Sequence, residues 1–239
     1  MSTLHALLQL ASGHHLVLHE HRCIGYLVLR PVALRGSSNM SATGNIPPRH
    51  LSFAADAVSP GDEPSSMRDL PLRNWASTHA WTPKRTVEPG SVGEVVRVIT
   101  NVRAVGRTLR VVGSLHSPNA CCMGSEVVVS LRRMNRVLEI DTQNQLVKVE
   151  AGILVSELNA ELHAKGLALD NLGSISDQTL AGMISTGTHG TGIAKQTLAA
   201  CVVELQIVTP DGSVTVCSAL HQSGERDRRI CWSVALTHC

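Results

Sequence analysis

The stretch GSISDQTLAGMISTGTHGTG, residues 173–192, decides how this chain is read. Glycines at 173, 182, 187, 190 and 192 alternate with hydroxyl side chains around a short predicted helix across Thr179–Ile184. Glycine lets a ligand approach the backbone closely, and Ser and Thr add side-chain donors, so the pattern suits a diphosphate. Two other nucleotide motifs are excluded. A P-loop needs Gly-Lys-Ser/Thr, whereas Gly192 is followed by Ile193-Ala194-Lys195. The dinucleotide fingerprint needs G-x-G-x-x-G at a strand–helix junction, and Gly187, Gly190 and Gly192 have the wrong spacing.

A second loop lies upstream. Thr108-Leu109-Arg110-Val111-Val112 has strand composition and runs into Gly113-Ser114-Leu115-His116-Ser117-Pro118-Asn119. Gly and Ser at a strand end let successive N–H groups converge into an anion-binding nest. A plain strand-to-loop turn carrying a surface His fits those residues equally well.

The surrounding segments predict a regular domain. Ser91-Val92-Gly93-Glu94 has capping-box spacing, and Val95, Val98, Ile99 and Val102 then form one apolar helical face. Gly106 suits the left-handed residue that ends such a helix. Short strands are predicted at Val127–Leu131, Val137–Ile140 and Leu146–Glu150. A helix holding Ile153, Leu154, Leu158 and Leu162 follows Gly152 and closes at Gly166. Two more strands, Cys201–Val208 and Ser213–Val216, flank a Pro210-Asp211-Gly212 turn. Helices interspersed with several short strands predict an α+β class. Glu139, Asp141 and Glu150 are expected on solvated strand faces.

Composition narrows the functions. The 239 residues carry a formal net charge of +2, with three Trp, one Tyr and one Phe. That argues against nucleic acid or a base-stacking surface. Seven cysteines with no C-x-x-C pair signal neither a zinc ribbon nor a thioredoxin-type centre, and the odd number suits a reducing compartment better than a disulfide framework. No metal site is expected. No apolar run reaches the roughly 18 residues of a membrane span. Through Ala55 the only acidic residue is Glu20, among several Arg and Ser, which fits an organelle transit peptide or an unstructured extension. Ser59–Ser66 has linker composition. The expected organisation is an N-terminal extension over 1–70, a folded domain over 71–219 and an atypical tail over 220–239.

Taken together, V-G-S-L-H-S-P-N, V-E-A-G-I-L, G-L-A-L-D-N-L-G-S-I-S-D and G-M-I-S-T-G-T-H-G-T-G resemble flavoproteins of the vanillyl-alcohol-oxidase type. Within them the sequence is most similar to the sugar-lactone oxidoreductase branch. The resemblance runs from about Asn74 to Ser218. It implies a PCMH-type FAD-binding domain of two small α/β subdomains, with FAD as cofactor. By correspondence, Gly113, Ser114, Leu115, His116 and Ser117 line one side of the FAD. Gly173, Ser174, Thr179, Gly182, Ser185, Thr186, Gly187, Thr188 and His189 line or shape the other. Backbone N–H groups and hydroxyls would neutralise the diphosphate without Lys or Arg.

The resemblance further implies a covalent link from His116 to the dimethylbenzene edge of the flavin, and oxidase-type access of oxygen at Gly173. A Gly173 that serves only a tight turn is the competing explanation. His189 is expected to shape the loop and not to act as a base. The implied reaction is oxidation of an aldono-1,4-lactone to an ascorbate-type product, with oxygen or cytochrome c as acceptor. A mitochondrial location is expected, with a peripheral membrane association; the cytoplasm is the alternative.

After Ser218 the resemblance fails: residues 220–229 are polar where family members continue with an apolar-aromatic helix and a Gly-rich segment. The expectation is a domain incomplete at its C-terminus, lacking the substrate cap domain and its catalytic residues. An unfinished sheet edge and an inactive isolated chain would follow. The alternatives are a non-catalytic FAD-binding fragment, or an oxidase of another branch.

Overall fold

The computed structural model describes residues 23–34, 65–67 and 71–218. The tail expected over 220–239 and most of the N-terminal extension lie outside the described residues. The chain order opens with strands β1 (Cys23–Leu29), β2 (Val32–Ala33), β3 (Ser65–Met67), β4 (Leu72–Arg73), β5 (Ala80–Trp81) and β6 (Arg85–Glu88). Helix α1 (Val92–Ala104) leads to β7 (Leu109–Val112), β8 (Val127–Ser130), β9 (Val137–Asp141) and β10 (Leu146–Glu150). Then come α2 (Val155–Ala164), β11 (Leu167–Ala168), α3 (Leu180–Ser185), β12 (Val202–Val208) and β13 (Val214–Ser218).

Two sheets carry the fold. The first has four strands in the order β3-β6-β8-β7, with β8 parallel to both β6 and β7. Parallel strands need crossover connections, and α1 supplies the one from β6 to β7, the two strands that flank β8. Its start forms as its residues predict: Glu94 N–H donates to Ser91 Oγ at 3.2 Å, and Gly90 N–H donates back to the Glu94 carboxylate at 3.0 Å. Gly106, at φ +64°, ends it in the left-handed region. Buried Val95, Val98 and Ile99 turn its apolar face inward.

The second sheet has five antiparallel strands in the order β13-β12-β1-β10-β9. One apolar cluster joins the two sheets, with Leu27, Val87, Val129, Val149, Leu158, Leu180 and Leu205 among its members. So few aromatics leave the interior to branched aliphatics, which interdigitate across both layers.

Three features depart from the sequence expectation. Cys23–Leu29, assigned to an extension, supplies the middle strand of the five-stranded sheet, and Val32–Ala33 pairs with β11. Cys23–Leu29 is buried on both faces, so it shows no polar alternation by which a strand could be recognised. Ser65–Met67, assigned to a linker, pairs with β6. Glu150 is not on a solvated face: it is 5% exposed. The Arg136 guanidinium grips it with two bonds at 3.1 and 2.7 Å, and the Arg136 N–H donates to it at 2.8 Å. A buried carboxylate persists only when paired in this way. Asp141 caps its own turn by accepting from Gln143 and Asn144 N–H groups, whereas Glu139 is exposed.

Candidate cofactor site

The two loops singled out from sequence meet where the sheets join. Between them lies a cleft open to solvent. One wall is Arg110–Ser117 and the other is Gln178–Thr179 with residues of α3; Ile24, Ala151 and Gly152 lie below.

The loops are in van der Waals contact because two of their residues lack a Cβ. A Cβ at Gly113 would sit 2.2 Å from Thr179 Oγ1, and one at Gly182 would sit 2.9 Å from the same atom. One hydrogen bond then locks the pair, from Thr179 N–H to Ser114 Oγ at 3.0 Å. The start of α3 is committed in the same way. Leu180 N–H donates to the Ile153 carbonyl at 2.9 Å and Ala181 N–H to the Ala151 carbonyl at 3.2 Å. Those amides serve the fold, so they are not available to a ligand.

Free donors come from elsewhere. The N–H groups of Ser114, Leu115, His116 and Ser117 make no hydrogen bond to the described residues. Leu115 adopts φ +57°, a left-handed conformation that a branched side chain accepts only under constraint. Alternation of right- and left-handed residues aims successive N–H groups at one point, which is how a nest gathers an anion. Thr179 Oγ1 and His116 Nδ1 are both buried without a partner among the described residues. Unsatisfied buried polar atoms are costly and rare, and they collect where a ligand completes the network.

An apparatus that sequence did not reveal holds the first loop in place. The β4–β5 hairpin turns around buried Asn74, whose Nδ2 donates to Thr78 Oγ1 at 3.0 Å and to the Ser117 carbonyl at 3.1 Å. Its Oδ1 accepts from His79 N–H at 3.0 Å. Trp75 N–H donates to the Leu115 carbonyl at 2.8 Å, and Thr78 Oγ1 donates to the Pro118 carbonyl at 3.1 Å. The Trp75 indole stacks on His116 with centroids 6.2 Å apart and planes 21° apart. A lone Asn before a Trp carries no motif, so this clamp is visible only in three dimensions.

Of the residues expected at the site, Gly113, Ser114, Leu115, His116, Ser117, Thr179, Gly182, Ser185 and Thr186 line this cleft. Gly173, Ser174, Gly187, Thr188 and His189 do not; they lie in the loops before and after α3. A Cβ at Gly173 would meet Thr188 Cγ2 at 2.9 Å, so packing between those loops already accounts for glycine there. His189 is exposed, and its Nδ1 lies 2.8 Å from the Gly190 carbonyl oxygen. Sequence reasoning also passed over Arg110, which lines the cleft and donates to the Cys121 carbonyl while its Nε stays buried without a partner among the described residues. It brings a fixed positive charge to a cradle expected to have none. Cys122 beside it is held above the usual thiol range, first by burial and then by its neighbour Cys121.

These residues fit an FAD diphosphate: glycine faces admit close approach, free N–H groups and a hydroxyl await acceptors, and a guanidinium balances charge. The comparisons with known proteins agree. The family model described as "FAD binding domain" matches residues 83–218. The chain is 41% identical over 151 residues to L-gulonolactone oxidase of Mus musculus, covering 63% of this chain and 34% of that protein. It is 39% identical over 150 residues to D-arabinono-1,4-lactone oxidase of Yarrowia lipolytica, covering 61% and 28% respectively. It thus spans about a third of the length of these relatives. The structure also resembles 6-hydroxy-D-nicotine oxidase from Arthrobacter nicotinovorans, with a TM-score of 0.62 at 19% identity, covering 75% of this chain and 40% of that one. With the family model matched over more than half of its length, and with a cleft whose donors suit a diphosphate, the chain belongs to the FAD-binding domain family.

Proposed function

We propose that this domain serves the FAD-dependent oxidation of an aldono-1,4-lactone to an ascorbate-type product. The observation that carries the reading is the Gly113–Thr179–Gly182 contact, which builds a diphosphate cradle, in a chain about 40% identical to oxidases named for such lactones. FAD, when bound, supplies the two-electron oxidant. Its diphosphate would be held by the Ser114–Ser117 N–H groups, the Thr179 hydroxyl and the Arg110 guanidinium. Trp75 and the Asn74 hairpin keep that loop rigid, so the donors are in place before the ligand arrives.

His116 would tether the flavin covalently: a ring nitrogen would bond to a methyl carbon of the dimethylbenzene edge, one methyl C–H and one imidazole N–H being lost as protons and the two electrons passing through the flavin to oxygen. Its buried Nδ1 has no partner among the described residues, and the Trp75 indole lies stacked beside the ring. An imidazole nitrogen with a free lone pair is a competent nucleophile. Acid precipitation of the FAD-loaded protein is therefore expected to give a yellow pellet, and His116→Ala protein is expected to release its flavin into the supernatant. Release from the unaltered protein would refute the tether.

Oxygen or cytochrome c is the proposed acceptor. The proposed location is mitochondrial, with peripheral membrane contact. Any leader removed on import would have to end before Cys23, because β1 lies in the core.

The lactone assignment is tested by exchange. A chimera in which residues 23–218 replace the part of the Yarrowia lipolytica enzyme that ends with its matching segment should bind FAD and bleach anaerobically with D-arabinono-1,4-lactone. A chimera that holds FAD but stays oxidised under the lactone would sink the assignment.

A further inference from the structure

Residues 83–218 contain the family match, yet the sheet those residues build is not complete without a strand from far upstream. β1 lies between β12 and β10, antiparallel to both. Its register runs from Tyr26 opposite Glu150 to Leu29 opposite Val147 on one side, and from Cys23 opposite Val208 to Leu29 opposite Val202 on the other. Taking it away would leave two facing rows of unpaired N–H and C=O groups in the middle of a sheet, a far worse defect than one exposed edge.

Side chains make the slot specific. Ile24, Leu27 and Leu29 enter the main core, whereas Tyr26 and Val28 pack on the other face with Leu146 and Val203. Tyr26 Oη donates to the buried Glu204 at 3.4 Å, and Lys148 Nζ lies 4.3 Å from the Tyr26 ring centroid. Gly25 marks a bulge between Ile24 and Tyr26, where a Cβ would come within 2.6 Å of Gln206 Oε1. A one-residue slip would exchange the two faces and misplace this glycine, so only one register fits.

The strand also reaches the cofactor cleft. Ile24 lies in its lining, and the Gly25 carbonyl accepts from Ala151 N–H at 3.1 Å. The Ala151 carbonyl in turn accepts from Ala181 N–H of α3 at 3.2 Å. A backbone relay therefore runs from β1 through Ala151 to the helix that carries Gly182.

We infer that residues 23–29 are a built-in complementing strand, which completes both the sheet and the base of the cofactor cleft and is held by its slot and not by its covalent link to the rest of the chain. The test uses the full chain with a specific protease site inserted at Gly44, cleaved under native conditions. Both pieces should co-elute on gel filtration, with amide exchange across β10 and β12 unchanged. After separation in denaturant, the larger piece should regain that protection only when a synthetic peptide of residues 23–34 is added. The same peptide carrying Leu27→Asp and Leu29→Asp should not restore it.

Amide exchange is read without FAD, so the result is independent of the cofactor assignment. Departure of the small piece while β10 and β12 stay protected would overturn the inference. So would refolding of the larger piece alone, equal rescue by the doubly substituted peptide, or no rescue by the unaltered peptide under conditions where the uncleaved chain refolds.

Discussion

Alanine at Gly152 should destabilise the protein by about 3 kcal/mol or more, the upper end of what overpacking costs. The added methyl would lie 1.9 Å from the Leu131 carbonyl oxygen, 2.5 Å from its carbon and 2.9 Å from the Met134 carbonyl oxygen. All three are backbone atoms, so no side chain can rotate away. The contact cannot open without cost either, because Gly152 N–H donates to Met134 at 2.8 Å and Met134 N–H donates to Leu131 at the same distance. Leu131 and Met134 are themselves buried, so the strain would pass into the main core. Gly106→Ala is the control: nothing lies within 4 Å of its added Cβ, and only the left-handed backbone is penalised, by about 1–2 kcal/mol. Urea unfolding midpoints of the two variants give the comparison. Equal shifts would mean that the Gly152 turn relaxes more easily than its hydrogen bonds indicate.

Alanine at Gly113 should abolish FAD retention through a different route. Here the clash is with Thr179 Oγ1 at 2.2 Å, the end of a side chain; the next atoms, Thr179 Cβ and Gly182 Cα, lie at 3.5 and 3.7 Å, in ordinary contact. The loops would be pushed apart, and the bond from Thr179 N–H to Ser114 Oγ with them. A second change, Thr179→Ala, removes the offending oxygen and should return the unfolding midpoint towards that of the parent. Flavin should not return in full, because the waiting Thr179 hydroxyl would be gone. Recovery of stability without recovery of flavin separates the cradle's ligand role from its packing role. Full recovery of both would show that Gly113 matters for packing alone.

Much of this architecture was legible in the residues themselves. α1 is announced by Ser91 and Glu94 and ended by Gly106, and the structure follows each of those local preferences. The β12–β13 hairpin turns where Pro210-Asp211-Gly212 predicts, with Asp211 accepting from Ser213 N–H at 3.0 Å and Gly212 at φ +85°. Those hydrogen bonds, led by the one from Thr209, hold the Asp211 carboxyl down at about 2. These are short-range determinants, readable from a few neighbouring residues.

Long-range pairing was not readable in that way. Cys23–Leu29 finds its partners more than a hundred residues later, across a stretch whose composition suggests an extension, and burial on both faces removes the period-two pattern. Glu150 looked like one more strand carboxylate until Arg136 was seen to close over it. Asn74 had no signal at all, because its work is to bond a loop some forty residues downstream. The cradle falls between these cases. Gly113, Thr179 and Gly182 were recognisable from two glycine- and hydroxyl-rich loops, yet their mutual contact, and the unpaired atoms that contact creates, exist only in the folded chain.

FAD is expected to lie between the Gly113 and Gly182 loops of this chain. The most direct test is the flavin absorbance of the full 239-residue chain, purified with FAD and passed through gel filtration, beside Gly113→Ala protein prepared in parallel. Flavin that co-elutes with the parent chain and is absent from the variant is the predicted result. A folded, monodisperse parent chain that elutes colourless would contradict it.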